Sequence, residues 1–330
     1  MNEPHITTAR PRIVAIDILK VMAVFVVLNS HMELCYGEGW KFLATGGAFG
    51  DALFFFCSGF MLFRGQRLRF DNFMKRRISR IYPTVIIVAI VGALLFGRND
   101  NIVDILLWGG GWFVTCIMMY YVVLWAIHRW MMNYMWAVWL AVGAVVLTWF
   151  YLAFDHGGTL SMYGANYFKW SFFFVFMLQG AVIGVDPGRY RYSRWALPKM
   201  LGCMALWYGC FFAVGKFPML VNFQYISILP LGGVTYYAYL FCCAPFWARL
   251  YSHRTVGRIL FIVGGLCLEC YLIQGYLFTD SLNWLFPLNI PLIMIGVLLV
   301  SYAINFLSTA LRQTFLKEDY DWRSCLLDKK

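Results

Sequence analysis

The chain has 330 residues, 62% hydrophobic and only 13% charged, against the ~25% charged residues of an average soluble domain. So much apolar surface excludes a water-soluble fold, and no Ser-, Pro- or Gly-rich linker divides the chain. The formal charge of +11 would suit nucleic acid only if it were gathered into a stripe, whereas here it is spread over separate loops.

Apolar stretches close to the ~20 residues that cross a bilayer as helix recur along the chain. They predict ten spans, at 13–35, 43–63, 81–96, 105–127, 134–154, 168–185, 200–214, 225–247, 259–279 and 290–310. A transmembrane barrel would alternate in polarity, and Val85–Phe96 and Leu292–Val300 do not. The expected fold is therefore an all-α, polytopic membrane helix bundle. Residues 1–312 form the transmembrane domain and 313–330 a short cytoplasmic tail.

In chain order, Met1–Pro11 is polar and lacks the features of a cleavable signal peptide. The first span carries Asp17, Lys20 and His31. Eleven residues make three helical turns plus about 20°, which places Lys20 and His31 on one face about 16 Å apart. Asp17 falls within about 60° of that stripe. Ionisable groups inside a bilayer are expensive and point to function, and an imidazole titrates near neutral pH. Two plain readings stay open, a hydrogen-bonded packing histidine and an Asp17–Lys20 pair at the interface. His5, His128, His156 and His253 fall in termini or loops, which leaves His31 as the intramembrane histidine.

Gly46, Gly47 and Gly50 open the second span, which carries Asp51 and Ser58. The following loop is strongly basic, and Arg76, Arg77 and Arg80 fall on adjacent faces of a helix entering the third span. Such a group can hold phosphates, anionic lipid, or simply the cytoplasmic side. Gly109, Gly110 and Gly111 precede Trp112, and Gly264 and Gly265 precede Glu269 near the middle of the ninth span. Each glycine group fits close helix packing or irregular backbone lining a cavity. Cys267 and Cys270 form a C-x-x-C with no second pair and no histidine nearby, so packing thiols are expected and no metal site.

Cytoplasmic loops should carry the excess of Lys and Arg. With the amino terminus inside, 22 of the 27 basic residues lie in cytoplasmic segments, Lys41, Arg98, Lys169 and Lys216 lie outside, and Lys20 lies within the first span. Both termini are expected to face the cytoplasm.

Taken together, the chain resembles acyltransferase family 3, integral membrane enzymes that move acyl groups from acyl-CoA to sugars. The family pattern of arginine, ten residues and histidine appears as Lys20 and His31, with lysine in place of arginine, which keeps the charge but not the bidentate fork. The family's Gly-acid-Phe run ending in Ser-Gly-Phe appears as Gly50–Phe60, its basic stretch leading to proline as Phe73–Pro83, and its Trp-Phe-Leu as Trp112–Val114. The Glu-Glu-Gln of some branches is here Ile117–Met119, and a Tyr-Leu-Ile-His pattern becomes Tyr271–Gln274, with glutamine for histidine.

The resemblance implies an O-acyltransferase of surface-polysaccharide type, in a bacterial inner membrane. It would move an acetyl group from cytoplasmic acetyl-CoA, a co-substrate, to a carbohydrate or lipid-linked sugar, with no tightly bound cofactor. Arg76, Arg77, Arg80 and Lys20 would hold the acyl-CoA, and His31 would act as base or acyl carrier with Asp51 orienting it. Asp17, Ser58, Trp112, Glu269, Tyr271 and Gln274 would bind substrate. Two rival readings are a secondary transporter or polysaccharide exporter that uses the same charges as a proton path, and a catalytically dead relative. The lack of an internal repeat counts against a carrier.

Overall fold

The computed structural model of the chain describes residues 12–98, 100–153, 163, 168–315 and 319–327; His5 and His156 lie outside them. Among the described residues every regular element is helical. The helices are α1 (Val14–His31), α2 (Gly47–Phe63), α3 (Phe70–Phe96), α4 (Ile102–Trp108), α5 (Gly111–Trp130), α6 (Met135–Ala153) and α7 (Phe168–Val185). They continue as α8 (Ala196–Lys216), α9 (Ile228–Cys242), α10 (Pro245–Ser252), α11 (Arg254–Gly265), α12 (Cys267–Leu277), α13 (Asn289–Thr314) and α14 (Trp322–Cys325).

Among the described residues nine helices are long and apolar enough to cross a membrane, and the bent pair α11–α12 makes a tenth if it is one span. The polytopic bundle therefore stands, with local differences from the expected spans. The first, 13–35, ends as helix at His31, and the eighth, 225–247, is a continuous α-helix only from Ile228 to Cys242. The ninth span, 259–279, is not straight, because its halves meet at 74° around Leu266. The fourth, 105–127, is interrupted at Gly109 and Gly110, and the helix beyond the break begins at Gly111 with φ 62°. The third, 81–96, starts eleven residues early at Phe70, so the basic stretch belongs to the helix. Hydropathy does not report that helical entry, because charged residues at a helix end stay solvated while the backbone bonds continue.

α1 and α2 are antiparallel, with Gly47 against Ser30 and the Cys57 thiol 4.0 Å from the Ile16 carbonyl. The end at which α1 begins carries Arg12 and the arginine-rich segment 64–80 and is called the basic end below. α2 and α7 run parallel and touch backbone to backbone. A Cβ built on Gly59 would lie 1.8 Å from the Met177 carbonyl oxygen, one on Gly180 2.0 Å from that of Phe56, and one on Gly184 2.5 Å from that of Phe60. Small residues let helices approach this closely where no hydrophobic effect drives them together. The Gly47–Gly50 group serves the same purpose, since a Cβ on Gly50 would lie 2.5 Å from the Val27 side chain.

α13 runs on to Thr314, two residues beyond the expected domain limit, and the chain after it folds back. The buried Gln313 amide accepts from the Asp321 backbone N–H at 2.7 Å and donates to the Asp321 carbonyl at 3.1 Å and the Ser324 hydroxyl at 3.0 Å. Leu327 thereby reaches Gly265 beside the α11–α12 bend, and Cys325 becomes 2% exposed. Breaking a buried amide cluster costs about 1–3 kcal/mol. Gln313→Ala should therefore speed maleimide labelling of Cys325, read by peptide mass spectrometry, by about tenfold or more.

Candidate active site

His31 is the last residue of α1, at the end opposite the basic end, and it is exposed. Its Nδ1 lies 2.9 Å from the Val27 carbonyl and 3.1 Å from the Ser30 hydroxyl, which itself donates to Val27 at 2.8 Å. A carbonyl only accepts, so Nδ1 carries the proton. In the neutral ring Nε2 then holds a free lone pair, the arrangement a general base needs. The loop after α1 is clamped close by. Asn29 donates to the Leu43 carbonyl at 2.7 Å and accepts from the Tyr36 hydroxyl at 2.6 Å.

Asp51 does not orient the imidazole; Val27 and Ser30 do. Asp51 sits one turn along α2 from Gly47, with Lys169 on α7 as its nearest opposite charge. It therefore lies near His31 without bonding to it.

Lys20 lies within the same unbroken helix as His31, so the shared face and the separation of about 16 Å hold. It does not pair with Asp17. The 4% exposed Asp17 carboxylate is held by Arg12, with one guanidinium N–H at 3.1 Å, and by the Tyr251 hydroxyl at 2.8 Å. Burial, then that bond to Asp17, push the Tyr251 hydroxyl well up, which keeps it a donor. Lys20 instead lies beside Gly264 and within electrostatic reach of Cys57 and Cys267.

Arg80 also acts on Cys267 and Glu269, so two cations converge where α12 begins. The amino-terminal end of α12 adds its positive dipole there. Glu269 is 5% exposed and accepts from Asn305 at 2.9 Å and Thr84 at 3.3 Å. Arg77 packs between the rings of Phe73 and Tyr121, each 5.1 Å away, and its Nε has no partner. Arg76 is exposed on the same helix.

The remaining substrate-binding candidates do not form one cluster. Asp17 is at the basic end, Ser58 is half-buried on α2, and Glu269 is between α3 and α13. Tyr271 is within electrostatic reach of Asp51, Trp112 lies under Lys169, the basic residue that also acts on Asp51, and the Gln274 carbonyl oxygen is buried without a donor. Two apolar cavities of about 230 and 710 Å³ lie on the flank of the bundle, between α3, α4 and α5 and between α5, α6 and α7. Neither is lined by His31, Lys20 or Glu269.

His128 was expected in a loop, yet it lies in the last turn of α5, 4% exposed, edge-on to Phe63 with its Nε2 unpartnered. The expected span ended one residue short of it, because hydropathy falls before the helix does. Lys169, counted among the outer basic residues although the expected span 168–185 contains it, is the second residue of α7, 4.2 Å above the Trp112 ring. The Gly180-x-x-x-Gly184 spacing was the available signal for the α2–α7 contact. All ten cysteines are free thiols, and burial pushes the Cys35 thiol up, which leaves it inert.

Residues 13–309 match the family model of an acyltransferase domain, Acyl_transf_3. Searches of curated proteins and of solved structures gave no match.

Proposed function

Since the chain belongs to acyltransferase family 3 and spans the membrane many times, we propose that it transfers an acetyl group from cytoplasmic acetyl-CoA to a sugar hydroxyl, as a multi-pass protein of a bacterial inner membrane. The observation that carries this reading is the imidazole of His31, exposed, with its Nδ1 proton committed to Val27 and Nε2 free. The acceptor hydroxyl gives its proton to Nε2 as its oxygen attacks the thioester carbonyl. The carbon–sulfur bond then breaks, and CoA leaves as the thiolate or, once protonated, the thiol. The same lone pair would serve a route through an acyl-histidine.

The donor's charged nucleotide binds near Arg76, Arg77 and Arg80 at the basic end. Its pantetheine arm passes Lys20 and lies along the α1 face that leads to His31. Lys20 and Arg80, which both act on Cys267 at the start of α12, supply positive potential on that route together with the amino-terminal end of that helix. Arg12 neutralises Asp17 locally, with the Tyr251 hydroxyl donating to it, which leaves the Lys20 charge uncompensated for the donor.

Purified protein in lipid nanodiscs, given thioester-labelled acetyl-CoA, should release free CoA. Lys20→Met should raise KM for acetyl-CoA by about tenfold, and Lys20→Arg should retain affinity, since one charge-assisted contact is worth about 1.5–3 kcal/mol. A carrier that uses these charges as a proton path would neither bind nor cleave the thioester.

A further inference from the structure

Lys169 and Asp51 take no part in the steps above, and neither forms an ion pair among the described residues. The Lys169 ammonium rests 4.2 Å above the Trp112 ring. The Asp51 Oδ1 is buried without a hydrogen-bond partner. The two charges act on each other without touching. Leaving a buried carboxylate oxygen without a partner is costly unless a ligand completes it, and the half-buried Lys169 stands near it with its charge unpaired.

The surroundings are aromatic. Trp112 lies 5.7 Å from Phe173 and 6.3 Å from Phe55, and Phe113 lies 5.1 Å from Tyr271. Tyr271 also feels the Asp51 charge, and its hydroxyl stands by the left-handed Gly111, where a Cβ would lie 3.3 Å from it. The indole thus lies under the Lys169 ammonium, and Asp51 is within electrostatic reach of both Lys169 and the Tyr271 phenol. Gly47 packs on Ser30, the neighbour of His31, and Asp51 follows Gly47 by one turn and about 40° of rotation. The cluster is therefore about one helical turn from the exposed imidazole.

We propose that Asp51, Lys169, Trp112 and Tyr271 form the acceptor subsite, and that it takes an uncharged, polyhydroxylated ring. One hydroxyl donates to Asp51, a neighbouring oxygen accepts from Lys169, and the ring's apolar face lies on the aromatic side chains. The charge balance selects a neutral ring over an anionic one, because an acidic sugar drawn to Lys169 would be repelled by Asp51. The assignment rests on the acyl-transfer reading for its purpose, and the experiment measures binding alone, so each can fail without the other.

Saturation-transfer NMR on the full-length protein in nanodiscs, with methyl glucoside, methyl galactoside and methyl glucuronide as probes, provides the test. Transfer to ring protons of at least one neutral hexoside is expected in the wild type and in His31→Ala, with little to the glucuronide. Lys169→Met, which keeps the apolar stem over Trp112, and Asp51→Asn should each lose most of that transfer, and Lys169→Arg should keep it. No transfer in the wild type, equal transfer in wild type and Lys169→Met, or preference for the glucuronide would overturn the proposal.

Discussion

His31→Ala should lower the rate of CoA release by about 10²–10⁴, the usual contribution of a positioned general base, while the protein still purifies as a folded membrane bundle. Folding is expected to survive because the ring is exposed and its two hydrogen bonds are local, to residues one and four positions earlier in the same helix. The wild-type ring fixes its own tautomer through that helix and needs no carboxylate partner. Asp51→Asn should accordingly act through KM for the acceptor and leave acetyl-CoA hydrolysis by water near the wild-type rate. Progress curves with and without acceptor separate the two effects.

Gly59→Val and Gly180→Val should each prevent recovery of monodisperse protein. A Cβ at either position would lie 1.8–2.0 Å from a carbonyl oxygen of the facing helix, and neither neighbour is a side chain that can turn aside. The helices must separate by more than about 1 Å. Overpacking of this kind costs about 1–3 kcal/mol where the surroundings can give, and more against rigid backbone. Because α2 carries Asp51 and α7 carries Lys169, any protein that does fold should also bind acceptor poorly. Gly143→Ala is the matched control, since a Cβ there meets nothing within 4 Å and alanine favours the helix by about 1 kcal/mol. Size-exclusion chromatography in mild detergent before and after heating reads all three.

Much of the bundle was legible because lipid leaves the chain few options. Each long apolar run had to become a helix that satisfies its own backbone groups, and Lys20 and His31 were placed correctly on one helix by hydropathy and spacing. Hydropathy fell short at two helix ends that carry charge. The helix around the third span begins at Phe70, ahead of its apolar run, although the arginine spacing had already put Arg76, Arg77 and Arg80 on a helix there, and His128 lies inside α5 rather than in a loop. The pairing of charges was not legible either. Lys20 lies three residues from Asp17, yet Arg12 and the distant Tyr251 take that carboxylate, a choice set by how α10 packs against α1. Likewise the 74° bend at Leu266 leaves only a pair of glycines as its trace in the sequence. The family motifs located His31, Lys20 and Asp51, whereas the Lys169–Trp112 contact depends on α5 meeting α7.

The claim on which the mechanism rests is that Val27 and Ser30 hold the His31 Nδ1 proton and leave Nε2 bare. Nitrogen-15 NMR of histidine-labelled protein, taken as the difference between wild type and His31→Gln, reads that tautomer directly. The expected result is a neutral ring protonated at Nδ1, with an Nε2 signal that shifts when substrate is added. A ring protonated at Nε2 would contradict it, because that nitrogen would then have no lone pair with which to take the acceptor's proton.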